Sequence, residues 1–239
     1  MQCVELFCGP GSFSAGAAPW GMVPVLAVDS DETALDIFQH NFSDDDTCTA
    51  SLFLGDPSND AHLIELVQKT IDHNVPWHLH ASPPRHLVRW TMGMINNLNP
   101  PSWSVIVKSN RATKQALANH QPRRWVCGKD SYLYAGTVDV SYVARMVSVT
   151  SIDQFRCSYR NLPNVVLATK GFPDWFELPN LEGISNPQIA RVLIGAIYPK
   201  CGEIIALSAA AAFREDDAID EACATDIDDD CDDEYEFVD

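Results

Sequence analysis

Apolar positions along this chain come in two kinds of block, short continuous runs and stretches with three-to-four spacing, and the two kinds alternate. Cys3 to Phe7 is a short run closed by Gly9-Pro10-Gly11, and Ser12 can cap a helix behind it. Val23 to Val28 repeats the run and ends at Asp29. Leu35, Phe38 and Phe42 then fall at helical spacing along Glu32 to Asn41 and just beyond it. Ser51 to Leu54 predicts a third strand leading into Gly55-Asp56-Pro57, Ala61 to Ile71 a helix, and Trp77 to Ala81 a strand ending in Ser82-Pro83-Pro84. Strands that alternate with helices predict an α/β fold, with a mostly parallel sheet covered by helices on both faces.

Further along, Trp90 to Leu98 predicts a helix, Trp103 to Val107 a strand, Ala112 to Asn119 a helix and Val165 to Ala168 another strand. Residues 120 to 160 carry no clear period. Ser185-Asn186-Pro187 opens a last helical pattern running from Ile189 to Ile197. Residues 215 to 239 have the low apolar content and high charge of a disordered tail. The expected organisation is therefore one domain over residues 1–214 and an acidic tail over 215–239. No apolar run approaches the length of a membrane span, and no basic or apolar leader follows Met1. The expectation is a soluble intracellular protein of the nucleus or cytoplasm, with no membrane partner.

Composition sharpens this picture in two places. The 239 residues are 46% hydrophobic, enough for one sizeable core. The net charge of −17 is mostly the tail, where 14 acids stand with no base, leaving 19 acids and 16 bases in residues 1–214. Within the body, residues 1–84 hold 12 acids and one base, whereas residues 85–160 hold 11 bases and three acids. That basic segment points to DNA or RNA as a partner, and the acidic tail to protein partners or to competition with phosphates. Eight cysteines lie scattered without a CxxC pair, so reduced thiols are expected, and no His/Cys cluster has zinc spacing. His78 and His80 alternate along a strand, which reads as an ordinary surface or core pair.

The chemistry concentrates at three successive strand ends. The glycines of Phe7-Cys8-Gly9-Pro10-Gly11-Ser12 let the backbone approach a ligand, and the following helix offers its N–H groups. Asp29 ends the next strand, where an acid can accept from a ribose diol, and Asp56 follows the third, where it could accept from an adenine amino group.

These segments, read together, resemble the DNA cytosine-5 methyltransferase family. Glu5 to Gly16, then Val28-Asp29-Ser30-Asp31-Glu32 and Asn41-Phe42, are similar to its first two motifs. Gly55-Asp56 is similar to the third, Ala81-Ser82-Pro83-Pro84 to the loop that carries the nucleophile, and Gly183-Ile184-Ser185-Asn186 to the last. The resemblance implies a Rossmann-like fold and S-adenosylmethionine as cofactor. It implies that Phe7 packs on the cofactor, that Gly9, Gly11 and Ser12 cradle its methionine end, and that Asp29 with Ser30 holds the ribose. Asp56 and Pro57 would meet the adenine, Pro84 would border the pocket, and Asn186 would close it. Structural alternatives stay open, because Asp56 and Asn186 also suit loop or cap positions and Phe7 also suits the core.

The family pattern breaks at the chemical centre. Attack on cytosine C6 needs a thiolate directly after the second proline, and this chain has Arg85 there, whose guanidinium stays protonated. The family's catalytic glutamate is replaced by Ile106 or Lys108, depending on a two-residue shift in alignment. Gln154-Phe155-Arg156 with Arg160 partly resembles the family's nucleotide-holding motif, and Arg85, Arg123 and Arg124 join these as candidate nucleic-acid contacts. Only Phe172 to Glu182 separates the preceding apolar run from the last motif, which leaves no room for a full target-recognition region.

The reading that follows is a methyltransferase-like protein that binds S-adenosylmethionine and is impaired at cytosine C5, with a binding or regulatory role. Two alternatives remain. One is an amino-methyltransferase that uses Ser82-Pro83-Pro84-Arg85 in place of that chemistry's aromatic loop. The other is a structural or assembly protein on an inherited fold. Pro100-Pro101-Ser102-Trp103-Ser104 also resembles methyltransferases of large DNA viruses, so a viral origin is a further expectation.

Overall fold

Runs of Val, Leu, Ile and Ala too short for helices, each ended by Gly, Pro or Asp, form the centre of the molecule. The structure, a computed structural model, describes residues 1–42, 51–53, 60–127, 130–140 and 162–213. Seven strands make one sheet: β1 (Gln2–Leu6), β2 (Val23–Val28), β3 (Ser51–Phe53), β4 (Trp77–Ala81), β5 (Ser102–Lys108), β6 (Arg123–Cys127) and β7 (Asp130–Gly136). Their order is β3-β2-β1-β4-β5-β7-β6, with β1 to β5 parallel and β7 antiparallel to both of its neighbours. The chain first winds outward from β1 to β3 and then restarts at β4 on β1's other side. This reversal opens a crevice beyond the strand C-termini, where open α/β sheets bind ligands.

Among the described residues eight α-helices accompany the sheet: α1 (Ser12–Ala17), α2 (Glu32–Phe42), α3 (Asp60–Thr70), α4 (Val88–Leu98), α5 (Arg111–Ala116), α6 (Pro163–Lys170), α7 (Asn186–Gly195) and α8 (Pro199–Phe213). On one face Val4, Leu6, Leu79 and Val105 pack against Leu63 and Val67 of α3 and Met92 and Ile95 of α4. On the other, Cys3, Ile106 and Tyr134 pack against Phe13 of α1 and Ile204 and Ile205 of α8. The α/β sheet covered on both faces, expected from the sequence, is thus the observed architecture.

Three expectations are corrected. Val165 to Ala168 lies in helix α6, not in a strand. Pro163 sits at the start of that helix, where its fixed φ suits the first turn, and Gly171 ends it at φ 69. Those two residues outweigh the β-branched pair Val165-Val166. Part of the unassigned stretch, 123–136, is the β6–β7 hairpin, in which buried Tyr132 and Tyr134 alternate with buried Leu133 and Ala135. The last helical pattern, expected to run to Ile197, ends at Gly195, and a further helix that the pattern did not include follows from Pro199. Residues 186–210 match a membrane span by length and composition alone, but they form two helices broken between Gly195 and Pro199. In this fold more than half of that stretch is buried.

Helices α1 and α8 approach until backbone meets backbone. A Cβ added at Gly16 would lie 1.8 Å from the Pro199 carbonyl oxygen, and one added at Gly202 would lie 2.1 Å from that of Phe13. Only glycine fits at either crossing point.

Candidate functional site

The loop after β1 turns sharply because Phe7, Gly9 and Gly11 all take left-handed backbone conformations, at φ 57, 56 and 89. At Gly11 a side chain is also excluded by space, since a Cβ would stand 2.4 Å from the Phe42 ring. The loop is tied to the end of β2 by Asp29. Gly9 N–H donates to Asp29 Oδ2 at 2.8 Å, while Ser30 and Asp31 N–H donate to Oδ1 at 2.8 and 3.0 Å. Burial raises the Asp29 carboxyl above its usual value, and these three donors pull it back. A carboxylate has about four acceptor sites, so one remains for a ligand hydroxyl.

Loop and strand ends enclose a cavity of about 760 Å³ at the sheet's reversal point. Phe7, Gly9, Ser12, Asp29 and Ser30, which follow β1 and β2, line it. Phe7 meets Trp90 edge-on, with ring centroids 5.8 Å apart. Pro84 and Arg85, which follow β4, and Ile106 and Lys108 of β5 line the same cavity, so both candidate positions for the missing glutamate share that space with the position of the missing cysteine. The two sites of lost chemistry now carry a guanidinium and, at Lys108, an ammonium.

Glu5 lies at the cavity floor, fully buried on β1. Ser14 donates to its Oε1, whereas Oε2 has no hydrogen-bond partner. Burial pushes this carboxyl up to about 8, despite the Ser14 hydroxyl. Cys8 also lines the cavity, but burial and the neighbouring Asp29 and Glu5 carboxylates drive its thiol well above the usual range. It cannot stand in as a thiolate nucleophile.

Behind Ser82 runs an unbroken line of polar side chains on one face of β4 and β5. The strand register sets His78 beside Ser102 and His80 beside Ser104. Ser102 Oγ lies 2.7 Å from His78 Nδ1 and Ser104 Oγ 2.8 Å from His78 Nε2. Ser104 Oγ is also 2.8 Å from His80 Nδ1, and His80 Nε2 is 2.8 Å from Ser82 Oγ. Phe13 stacks on His80 with centroids 3.7 Å apart and rings 6° from parallel. Burial holds both imidazoles neutral, with His78 lowered to about 3.

Other expected site residues fall elsewhere. Gly11 supports the turn without lining the cavity. Asn186 is the exposed first residue of α7, behind a Ser185–Gln188 capping box, and the opposite end of that helix reaches the cavity through Arg191 and Gly195. Arg123 and Arg124 sit on the edge strand β6, where Arg123 pairs with Asp139 at 3.4 Å and Arg124 Nε donates to Ser131 Oγ at 3.0 Å. Asp56, Pro57, Gln154, Arg156, Arg160 and the acidic tail lie outside the described residues. Sequence reasoning missed Tyr132, Arg191 and the histidine–serine line. The only available signal for that line was polar residues at period two on strands otherwise buried on both faces.

No family model matches the sequence, and no curated protein matches it. Solved structures do match the fold. An E. coli prophage-encoded protein assigned as a DNA modification methyltransferase superposes with a TM-score of 0.66 at 14% identity, covering 88% of this chain and 99% of that one. The Dnmt2 methyltransferase of S. pombe gives 0.60 at 14% identity, covering 90% and 100%. The Entamoeba histolytica methyltransferase EhMeth gives 0.60 at 10% identity, covering 90% and 99%. The reversal of the sheet at β1, the glycine loop beside Asp29 and these superpositions together establish that the chain has a Rossmann-like fold, in the form seen in these DNA-modification and Dnmt2 methyltransferase structures.

Proposed function

We propose that this chain binds S-adenosylmethionine or its demethylated product in the cavity and does not methylate cytosine C5, acting instead through binding or regulation. The observation that carries the reading is the Asp29 carboxylate, tied to the glycine loop by the Gly9 N–H and held in place by the N–H groups of Ser30 and Asp31, with an acceptor site to spare. The cavity volume, the orphaned Oε2 of Glu5 and the turned Gly9 backbone suit a ligand that carries a ribose and an ammonium group. Bound there, the cofactor would supply an electrophilic methyl group. Asp29 would take the ribose, and Phe7 would offer an apolar wall.

Calorimetric titration with S-adenosylmethionine tests this. Asp29→Ala should weaken binding by about 1.5–3 kcal/mol for each charge-assisted bond lost, while the thermal transition of the purified variant shows that the fold persists. Absence of heat or thermal shift at millimolar cofactor with the unmodified chain defeats the reading.

The second half of the proposal rests on residue chemistry. C5 methylation needs a thiolate and an acid, and the cavity presents Arg85, Ile106, Lys108 and a protonated Cys8. DNA incubated with the chain and cofactor should contain no new 5-methylcytosine by mass spectrometry. Arg85→Cys alone should not restore it, since the acid is still missing.

A further inference from the structure

The hydrogen-bond line behind Ser82 has only one arrangement that satisfies every buried proton. Ser102 and Ser104 are buried, and among the described residues their hydroxyls meet only the imidazole nitrogens of this line. A neutral imidazole donates from one nitrogen and accepts at the other. The Ser102 proton must go to His78 Nδ1, so His78 donates from Nε2 to Ser104. The Ser104 proton must then go to His80 Nδ1, so His80 donates from Nε2 to Ser82. Any other arrangement strands a hydroxyl proton inside the sheet, at the full penalty of an unsatisfied buried donor. Ser82 accepts from His80 and has its own proton left to offer to the cavity. Each link polarises the next, which makes that terminal hydroxyl a stronger donor than an isolated serine.

The same cavity is lined by Arg85 and Lys108. Three donors, two of them cationic, thus face the space that a nucleophile and an acid would otherwise occupy. Such a set has no use for a ring carbon awaiting attack, and it matches the acceptor oxygens of an anion.

We propose that this part of the cavity is a subsite for an anionic oxygen group, a phosphate or a carboxylate, held by Ser82, Arg85 and Lys108, with the His78–His80 line fixing Ser82 as a donor. The proposal rests on the cofactor reading only in placing the methionine and ribose ends beside Asp29; the anion is a second ligand or a second part of one ligand.

The experiment titrates the full chain with inorganic phosphate and separately with malonate, at low ionic strength, with and without saturating S-adenosylmethionine. Nitrogen-15 imidazole spectra are recorded on the same sample. The expected result is saturable binding of at least one anion, unaffected by cofactor. Each of the exposed-residue variants Arg85→Ala and Lys108→Ala should weaken it about tenfold or more, as should Ser82→Ala. Both histidines should be neutral and protonated at Nε2. Tighter phosphate binding assigns the group to a nucleotide-like ligand, and tighter malonate binding to a carboxylate ligand; either supports the subsite. Failure of both anions to bind, displacement of the anion by S-adenosylmethionine, equal affinity in the Arg85 and Lys108 variants, or an Nδ1-protonated histidine overturns it. A chain that binds cofactor but neither anion loses the subsite alone, whereas one that binds an anion but no cofactor keeps the subsite and loses the reading above.

Discussion

Stability of the folded chain will peak near pH 6.5 and decline from there to pH 8, and Glu5→Gln will abolish the decline over that interval. His78 and His80 are neutral when buried, with His78 lowered from 6.5 to about 3, so below pH 6.5 the unfolded chain binds the extra protons and stability rises with pH. Glu5 acts in the opposite sense. Its folded value is raised from 4.5 to about 8, so between those limits the folded chain holds a proton that the unfolded chain has released, and stability falls as pH rises. The two imidazoles outweigh the carboxyl below pH 6.5 and balance it near that value, and above it Glu5 dominates while the histidine contribution fades by about pH 7.5. At about 1.4 kcal/mol per proton and pH unit, with the histidines still returning part of the loss, the wild type should lose about 1 kcal/mol between pH 6.5 and 8. Across the whole interval from 4.5 to 8 the Glu5 contribution amounts to about 5 kcal/mol, and its removal should make the acid-side rise of the variant steeper. Urea titrations at half-unit pH steps check this; parallel wild-type and variant curves would show that Glu5 is not the protonated group.

Gly16→Ala and Gly202→Ala should each destabilise the fold by about 3 kcal/mol or more, against the usual preference of helices for alanine. Helix propensity alone predicts a gain of about 1 kcal/mol for either change. The contacts predict the reverse, because the new methyl would sit 1.8 or 2.1 Å from a backbone carbonyl oxygen that no rotamer can move. Gly93 of α4 is the internal control. It is exposed, nothing lies within 4 Å of an added Cβ, and Gly93→Ala should therefore stabilise by about 0.5–1 kcal/mol. Chemical denaturation of the three variants measures both signs. A stabilised Gly202→Ala would mean that α1 and α8 stand farther apart than described.

What the sequence revealed is what local backbone chemistry dictates. Parallel strands buried on both faces are short apolar runs, and their ends are marked by residues that must turn, so β1, β2, β4 and β5 were legible, as were the glycine loop and Asp29. Strand β6 was not, because an edge strand can carry Arg123 and Arg124 without breaking its ladder. Helix α6 was misread because two adjacent valines outweighed the proline and glycine that bound it. The cavity draws Tyr132 and Arg191 from distant segments, and no local pattern announces such a meeting. The histidine–serine line depends on the register between β4 and β5; one residue of slip would turn the serines to the opposite face.

The glycine crossing also sets a schedule. Gly16 and Gly202 are 186 positions apart, so helix α1 leaves the ribosome well before its partner is made. At typical translation rates of about 5–20 residues per second, the wait lasts on the order of ten to forty seconds. Throughout it the nascent chain shows the apolar flank of α1 that α8 later covers, and β1 has only part of its cover. Chaperones that recognise apolar surface have that interval in which to act, and a ribosome that stalls before Pro199 leaves a chain whose earliest helix has nothing to close against.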